Sequence, residues 1–398
     1  MQEVKKILFV MPYLGCGGVE ATFFSLLDVM DRKRCEITLL ILEDKGQFRN
    51  RIPKDIKVRY IEIPKKERGI FFGKKKMLKE HLGHGRIWKI PGYLLYNMQI
   101  SLTEDRVKNA AYFSHIADSI PEFEGEYDLA VDYFGYATFT TFYVAEKVHA
   151  KRKVTWLHSI FSRFSPQAFE KWYRKMDVIY AVSQMVKSDF ETIFPQIDCV
   201  KLFYNIIDPG MIRRKANKIC NFDDGYKGMK ILTVGRLCGE KGIDLAIEAY
   251  KRLIKEGYVF RWYVIGGGSL ESIQMYKKLL LPNDNNFVFL GIKDNPYVYM
   301  RQCDIYVQPS RFEGYCTTTN EARILGCPIV TTDVSGAREQ IQDGKTGLIV
   351  ESTVEGIYKG VKELLDNPEL RKEFTENLKF IDCDTRKEVK KIYRLLDN

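Results

Sequence analysis

The segment QPSRFEGYCTTTNEA, residues 308–322, predicts the end of a strand, then a loop, then the start of a helix. The apolar run at 305–307 has the length of a buried strand, and Pro309 ends it because proline cannot donate to the strand ladder. A helix is predicted at 315–325. The N–H groups of its first turn have no partner within the helix, so this end of the helix suits a phosphate.

Two glutamates lie on either side of this helix start. Glu313 is in the loop just before it, and Glu321 is about two turns inside it. A carboxylate accepts paired hydrogen bonds from neighbouring hydroxyl groups, which suits the diols of a hexose or a ribose. We therefore interpret the two side chains as contacts to two parts of an extended ligand. The alternative for Glu321 is a capping or surface acid.

The same alternation of apolar runs and helix-length segments continues along the whole chain. In the first half, strands are predicted at 7–10, 36–42, 58–61, 128–132, 154–157, 178–182 and 200–203, with helices at 19–30, 104–120 and 184–194. In the second half, strands are predicted at 230–234, 260–265, 287–290, 305–307, 328–331 and 348–350, with helices at 242–255, 270–280, 315–325, 353–365 and 369–380. Strands that are apolar throughout are buried on both faces, so the pattern predicts two doubly wound parallel sheets.

A length of 398 residues favours two domains over one. We predict an N-terminal domain at 1–205, a polar linker at 206–229, a C-terminal domain at 230–380, and a C-terminal helix at 381–398 that packs back toward the N-terminal domain. Doubly wound sheets bind ligands beyond the carboxyl ends of their strands. A cleft between the two domains is therefore the expected site.

Two glycine-rich turns follow predicted strands. Gly17 and Gly18 open the first helix, where backbone N–H groups could approach an anion. Neither this turn nor the one at 266–268 is a dinucleotide fingerprint, because Glu20 and Glu271 replace the third glycine. An ordinary tight turn explains each of them equally well, and a dinucleotide oxidoreductase is disfavoured.

Two cations follow the first strand of the second half. Arg236 and Lys241 would project from the carboxyl edge of that sheet, where they could grip a diphosphate. The alternative is an ordinary surface pair near a helix start. A helix N-terminus gives cations no stabilisation, which favours the functional interpretation.

Composition excludes several classes of protein. A hydrophobic fraction of 45% with 29% charged residues is globular, and no apolar run approaches the length of a membrane span. The short apolar start is interpreted as a core strand, so we expect a non-secreted, cytoplasmic protein. The nine cysteines form no C-x-x-C pair, so neither a zinc site nor a disulfide framework is predicted.

The net charge of +10 is unevenly distributed. Residues 63–96 combine nine lysines and arginines with interleaved aromatic residues. This pattern fits an anionic membrane surface or a phosphate-bearing substrate, and a solvated basic loop is the equally weighted alternative. Nucleic acid is not expected as a partner, because no recognised binding module accompanies the charge.

Six motifs in a fixed order resemble the retaining glycosyltransferases of family 4. They are GGVE (17–20), WLHS (156–159), NIID (205–208), VGRL with EKG (234–242), IGGGS (265–269) and PSRFEGYCTTTNEARILGCPIVTTDVSGARE (309–339). The spacing of Glu313 and Glu321 matches the E-x7-E signature of that family. The resemblance covers nearly the whole chain and implies the α/β GT-B fold, with two Rossmann-like domains facing a cleft.

The resemblance also implies roles for individual residues. Glu313 would contact the hydroxyls of the donor sugar, Glu321 the ribose, and Arg236 and Lys241 the diphosphate, while His158 would lie near the reacting centre. Catalytic roles are thus expected for Glu313, His158, Arg236 and Lys241. The donor-binding set is Gly17, Gly18, Gly235, Arg236, Lys241, Gly267, Gly314, Tyr315, Cys316, Thr317, Thr318 and Glu321.

Three features depart from the family pattern. Many relatives have G-D-G where this chain has three glycines at 266–268, which puts one nucleoside contact in doubt. Threonines occupy 317–319, where relatives are often apolar, and this difference could alter the preferred donor sugar. The segment at 64–100 matches no motif, and the acceptor is expected to bind there.

Together these features predict a metal-independent enzyme that transfers a sugar with retention from a nucleotide-sugar donor, a UDP-sugar, without another cofactor. The expected acceptor is a glycan or a polyprenyl-diphosphate-linked glycan of bacterial surface polysaccharide or capsule assembly. The enzyme would be cytoplasmic and peripheral on the inner face of the membrane. The alternatives are a nucleotide-sugar 2-epimerase of the same fold and a non-catalytic nucleotide-sugar-binding protein.

Overall fold

The computed structural model describes residues 3–15, 17–64, 105–162, 166–218, 222 and 224–397, with only the backbone at 105–109. The basic segment at 63–96 lies outside these residues from position 65 onward. The chain forms two compact units. The N-terminal unit comprises Met1–Val182, Val186–Phe203 and Val389–Asn398, and the C-terminal unit comprises Ser183–Met185 and Tyr204–Glu388. No helix among the described residues is long and apolar enough to cross a membrane.

In the described part of the N-terminal unit, seven parallel strands form one sheet in the order β3-β2-β1-β4-β5-β6-β7. They are β1 (Lys5–Met11), β2 (Cys35–Ile41), β3 (Lys57–Tyr60), β4 (Phe123–Asp132), β5 (Val148–Leu157), β6 (Val178–Ala181) and β7 (Val200–Leu202). The helices along this part of the chain are α1 (Gly18–Val29), α2 (Asp105–Ile116), α3 (Phe139–Lys147), α4 (Glu170–Tyr173) and α5 (Gln184–Ile193). Residues 7–11 of β1 are fully buried, as expected for a central strand covered on both faces.

The described residues of the C-terminal unit form a second parallel sheet of six strands in the order β10-β9-β8-β11-β12-β13. They are β8 (Met229–Val234), β9 (Phe260–Ile265), β10 (Phe287–Gly291), β11 (Ile305–Gln308), β12 (Ile329–Thr332) and β13 (Leu348–Val350). The helices are α6 (Pro209–Ala216), α7 (Ile243–Lys255), α8 (Leu270–Leu279), α9 (Tyr297–Met300), α10 (Thr317–Ile324), α11 (Ala337–Gln340), α12 (Val354–Asp366) and α13 (Pro368–Leu378). A last helix, α14 (Lys390–Asp397), belongs to the N-terminal unit.

Alternate side chains of the second sheet enter two separate cores. Ile231 and Ile305 pack with the apolar faces of α7 and α12. Leu232 and Tyr306, the next residues along the same strands, pack on the opposite face with residues of α9. The period of two therefore buries both faces of the sheet, which explains why its strands are apolar throughout.

Helix α14 is held against the N-terminal unit by polar contacts. The Tyr393 hydroxyl accepts a hydrogen bond from the Asp31 backbone N–H at 2.7 Å, and Asp397 pairs with Arg34 at 3.0 Å. The chain thus finishes on the unit in which it began.

The structure differs from the sequence prediction at several helices, and two of these differences have a local physical reason. The segment predicted as a linker contains α6, whose first turn is capped because the Asp208 carboxylate accepts the Met211 N–H at 3.0 Å. A proline, a glycine and three basic residues among its eight positions led to the linker prediction. Helix α10 begins at Thr317, two residues later than predicted, because the backbone at Cys316 is still extended.

Strand order brings two loops of the C-terminal unit together. The chain runs from β8 outward to β10 and then crosses back, so β11 pairs with β8 on its other side. The loops that follow β8 and β11 meet at Gly242, which has a φ of +60°. A Cβ atom at this position would lie 2.0 Å from the Pro309 carbonyl oxygen. Only glycine allows this close approach of the two loops.

We therefore expect Gly242→Ala to destabilise the C-terminal unit through both backbone strain and a steric clash. The matched control is Gly257→Ala, since Gly257 also has a positive φ (+91°) but nothing lies within 4 Å of its Cβ position. The control should cost about 1 kcal/mol of unfolding free energy, and Gly242→Ala at least about 2 kcal/mol. Urea denaturation measures both. Equal losses would show that the contact with Pro309 carries no cost.

Candidate active site

The candidate active site lies at the carboxyl ends of β8 and β11. These strands are neighbours although two strands and three α-helices separate them in the chain. Ligands of open α/β sheets bind at such a switch point, beyond the carboxyl ends of the strands. The loop after β8 carries Gly235, Arg236 and Lys241, and the loop after β11 carries Glu313.

An ion pair joins the two loops. Lys241 Nζ donates a hydrogen bond to Glu313 Oε1 at 2.5 Å, and the two side chains are only 17% and 10% exposed. Burial acts to lower the pKa of Lys241, but the carboxylate of Glu313 outweighs it and the pKa is raised overall. Lys241 is therefore a fixed cation, with two further N–H donors for a ligand.

A second donor reaches the same carboxylate oxygen. The Ser310 hydroxyl donates to Glu313 Oε1 at 2.6 Å, and Ser310 is fully buried. Sequence reasoning missed Ser310, although its position three residues before Glu313 was visible. The structure thus holds Glu313 from two sides.

Arg236 differs from Lys241 in exposure. Its side chain is 56% exposed and pairs with Glu240 at 3.4 Å. The stem of Lys241 runs past Gly235, whose Cβ position would be 3.5 Å from Lys241 Cδ. The loop therefore presents one mostly buried and one exposed cation at the same edge of the sheet.

The glycines at 266–268 pack against this loop. Gly266 has a φ of +153°, and a Cβ there would lie 1.8 Å from the Gly235 carbonyl oxygen. The Gly267 carbonyl accepts the Leu237 N–H at 2.8 Å. Close packing against Gly235, Ile292 and Leu237 thus accounts for these glycines. A role for Gly267 in donor binding stays a prediction.

The loop before α10 is fixed from behind by residues near α11. Ser335 Oγ donates to the Gly314 carbonyl at 3.0 Å, and Gln340 Nε2 donates to the Cys316 carbonyl at 2.7 Å. Nothing in the sequence near Glu313 signalled either contact. Cys316 is the N-cap residue but makes no side-chain capping bond.

The other predicted residues of this loop lie at the same helix start. Tyr315 precedes the cap, while Thr317 and Thr318 form the first turn of α10. Burial raises the pKa of the Cys316 thiol, so the thiol stays protonated at neutral pH. The first turn of α10 therefore carries no side-chain anion of its own at the cap.

Glu321 lies further along α10 in a different environment. Burial raises its pKa to about 7, which the hydrogen bond from the Tyr297 hydroxyl (3.1 Å) and the charge of Lys215 only partly offset. Neither Tyr297 nor Lys215 was predicted. The carboxyl group of Glu321 is consequently shared between its neutral and ionised forms near pH 7.

His158 follows β5 in the N-terminal unit. Its Nε2–H donates to the Tyr133 carbonyl at 2.7 Å, and the residue is 8% exposed. Burial lowers the pKa of His158 to about 4, so the imidazole is neutral at physiological pH. A neutral ring with one nitrogen already bonded can only accept at the other.

Gly17 and Gly18, also in the N-terminal unit, lie at the start of α1. The side chain of Glu20 folds back over this turn, where its Oε1 accepts the Gly15 N–H at 3.1 Å and the residue is 4% exposed. In the sequence, Glu20 was noted only because it replaces the third glycine of a dinucleotide fingerprint. In the structure, its own carboxyl group occupies the turn at the start of α1. Any ligand anion there would have to share the turn with it.

The structure therefore gathers Gly235, Arg236, Lys241, Glu313 and the start of α10 at one sheet edge. Glu321 lies on the same helix. His158, Gly17 and Gly18 belong to the other unit. Across the described residues, no three histidine, cysteine, aspartate or glutamate side chains converge as metal ligands would.

A family model matches this part of the chain. Residues 223–379 fit the model described as Glycosyl transferases group 1. The match contains every predicted site residue of the C-terminal unit. It does not extend to His158, Gly17 or Gly18.

Curated relatives are glycosyltransferases. The chain is 35% identical over 183 residues to the N-acetylgalactosamine-N,N'-diacetylbacillosaminyl-diphospho-undecaprenol 4-alpha-N-acetylgalactosaminyltransferase of Campylobacter jejuni, covering 45% of this chain and 48% of the relative. It is 30% identical over 175 residues to the capsular polysaccharide biosynthesis glycosyltransferase CapM of Staphylococcus aureus, covering 43% and 44%. The chain thus spans about half the length of these relatives.

Solved structures match over the whole chain. Anabaena HepE in complex with UDP and glucose has a TM-score of 0.72 at 16% identity and covers 99% of this chain and 100% of its own. A variant of Staphylococcus aureus TarM in complex with fondaparinux, alpha-GlcNAc-glycerol and UDP has a TM-score of 0.66 at 13% identity, with the same coverage. The chain therefore has the fold of the GT-B glycosyltransferases and, over residues 223–379, the sequence features of Glycosyl transferases group 1.

Proposed function

We propose that this protein is a retaining glycosyltransferase that moves a sugar from a UDP-sugar to a hydroxyl of a lipid-linked glycan. The observation that carries the proposal is the Lys241–Glu313 ion pair at the edge shared by β8 and β11. It joins a cation suited to a diphosphate with a carboxylate suited to sugar hydroxyls. Both residues lie within the segment that matches Glycosyl transferases group 1.

Donor activation rests on charge at the leaving group. Breaking the bond to the sugar leaves negative charge on the diphosphate, which fixed cations stabilise without reorganisation. Lys241 keeps two N–H donors for this purpose, and Arg236 is exposed enough to turn toward the phosphates. The start of α10 adds backbone N–H groups. We therefore propose that the reaction is independent of metal.

Glu313 and Glu321 are proposed to hold different parts of the donor. Glu313 receives two donors at Oε1, which leaves Oε2 for the hydroxyls of the transferring sugar. Glu321, as its carboxylate, would accept hydrogen bonds from the ribose. The neutral His158 is proposed to lie near the reacting centre, and the sugar would be transferred by same-face attack. The roles of Glu313, Glu321 and His158 and the same-face attack rest on the resemblance to family 4.

The relatives support the nature of the donor and the acceptor. The Campylobacter jejuni relative acts on a diphospho-undecaprenol-linked sugar, and CapM belongs to capsular polysaccharide biosynthesis. HepE and TarM were solved with UDP. We therefore propose surface polysaccharide assembly from UDP-sugars at the inner face of the membrane. The charge of residues 63–96 would provide the attraction to anionic lipid.

The experiment that tests this function is a screen of nucleotide sugars with the full-length protein, with and without polyprenyl-diphosphate-linked glycans. We expect donor hydrolysis with a UDP-sugar, transfer to the acceptor with retained anomeric configuration by NMR, and no loss of activity in EDTA. Epimerised donor formed without acceptor would favour the 2-epimerase instead. Absence of any reaction would refute enzymatic function on these donors.

Arg236→Ala and Lys241→Ala should each lower turnover at least tenfold, because a charge-assisted hydrogen bond contributes roughly 1.5–3 kcal/mol. A suitable control is Lys362→Ala, which removes a surface lysine paired with Glu256 at 2.7 Å. Steady-state kinetics with the UDP-sugar found in the screen measures all three. Wild-type rates in both site variants would remove the diphosphate assignment.

The two glutamate variants should fail in different ways. Glu313→Gln should mainly lower kcat, roughly tenfold or more, because the sugar it holds develops charge in the transition state. Glu321→Gln should mainly raise the donor KM, because the ribose does not react. Kinetics at saturating acceptor separates the two. Equal losses of kcat with unchanged KM would refute this division of roles.

Donor binding should also depend on pH through Glu321. With a pKa of about 7, its ionised fraction falls about tenfold between pH 8 and pH 6, so the Kd for the UDP-sugar should rise by up to about tenfold. Calorimetric titration of the wild type and Glu321→Gln measures this effect. The variant should bind weakly with a flat pH profile, and a flat profile in the wild type would contradict the assignment.

Stability provides an independent check on the same group. Folding raises the pKa of Glu321 from the ordinary 4.5 to about 7. The stability of the wild type relative to Glu321→Gln should therefore be highest below pH 4.5 and fall as the pH rises through 7. Urea unfolding of both proteins at pH 5 and pH 8 measures the difference. The opposite trend would show that the carboxylate is stabilised in the folded protein.

A further inference from the structure

Three consecutive hydrogen bonds lie behind Glu313 along the end of β11. The Tyr306 hydroxyl donates to Gln308 Oε1 at 2.7 Å, and Gln308 Nε2 donates to Ser310 Oγ at 2.8 Å. Ser310 Oγ then donates to Glu313 Oε1 at 2.6 Å. Tyr306, Gln308 and Ser310 are all fully buried. The chain of bonds therefore leads from the sheet interior to the predicted sugar-binding carboxylate.

The direction of these bonds is determined by chemistry. The Glu313 carboxylate can only accept hydrogen bonds, so the Ser310 hydroxyl must donate to it. The amide nitrogen of Gln308 therefore faces Ser310, and the amide Oε1 accepts from the hydroxyls of Tyr306 and Thr318 (3.0 Å). The Ser310 oxygen accepts from that nitrogen, which leaves its own proton for Glu313. Burial raises the pKa of Tyr306 well above its ordinary value, so the phenol keeps its proton. Every group consequently donates toward the carboxylate.

Such an arrangement restricts the carboxylate more than one bond would. Hydrogen bonds that end on a charged group are the strong ones, and donors aligned in a chain polarise one another in a buried site. Lys241 and Ser310 approach the same oxygen from different elements, so rotation of the Glu313 carboxylate would break one of the two bonds. Oε2 is thereby kept in one direction.

We propose that Ser310, supported by Gln308 and Tyr306, is a positioning residue that orients Glu313 toward the transferring sugar. The inference rests on the proposed function. Thr318 also bonds Gln308, so the first turn of α10 and the carboxylate are oriented by the same amide. Substrate hydroxyls and phosphate would then meet groups that are set relative to each other before binding.

Kinetics of Ser310→Ala tests the proposal. A loosened Glu313 should lower kcat about tenfold while the donor KM stays within twofold, because the ribose and diphosphate contacts remain. Tyr306→Phe, which removes only the most distant donor, should lower kcat two- to threefold with the same unchanged KM. A merely structural role would instead lower the melting temperature and leave the kinetics of the folded enzyme intact.

The matched control is Thr233→Val on β8. Thr233 is fully buried, and its hydroxyl donates to the Val307 carbonyl at 2.8 Å and accepts the Trp262 Nε1–H at 3.0 Å. Neither bond belongs to the chain of side-chain bonds that ends at Glu313. This variant should lose stability and keep wild-type kcat. Wild-type kcat in folded Ser310→Ala and Tyr306→Phe would overturn the positioning role alone. A wild type that uses no nucleotide sugar would overturn the proposed function, and this inference with it.

Discussion

The ion pair between Lys241 and Glu313 is the interaction on which the rest of the site depends. Either charge alone would be costly at its depth, because a buried ion that loses its partner keeps the full penalty of desolvation. Each charge therefore offsets the desolvation cost of the other. The pair also fixes the relative position of its two loops, because a hydrogen bond of 2.5 Å forms only when both side chains are correctly placed.

The strand order of the C-terminal sheet sets this relative position of the two loops. Because the chain crosses back from β10 to β11, the ends of β8 and β11 become neighbours, and Gly242 lets the loop after β8 touch Pro309. Behind the loops, Ser335 and Gln340 hold the carbonyls of Gly314 and Cys316. The polar groups of the site thus lie at the edge of a sheet that is covered by apolar side chains on both faces.

The sequence predicted the fold and the principal loops for a physical reason. Strands buried on both faces are apolar throughout, so their ends are visible, and Glu313 and Lys241 directly follow such ends. The GT-B fold was thereby confirmed. The contacts of Tyr297, Ser335 and Gln340 could not be predicted, because they come from elements distant in the chain and carry no local pattern. Helix α6 was missed because it begins with proline and glycine and carries three basic residues among its eight, which is typical of a linker.

The mutual dependence of Lys241 and Glu313 has an evolutionary consequence. A single substitution at either position passes through an intermediate that carries one unpaired charge inside the protein. An aspartate at 313 would be one methylene group shorter than Glu313. It would not reach Lys241 from the same backbone position, so it could not replace the present bond. Descendants of such a chain should therefore inherit both residues or lose both. Substitutions at the two positions should therefore be correlated among related sequences, even though 72 positions separate the two residues.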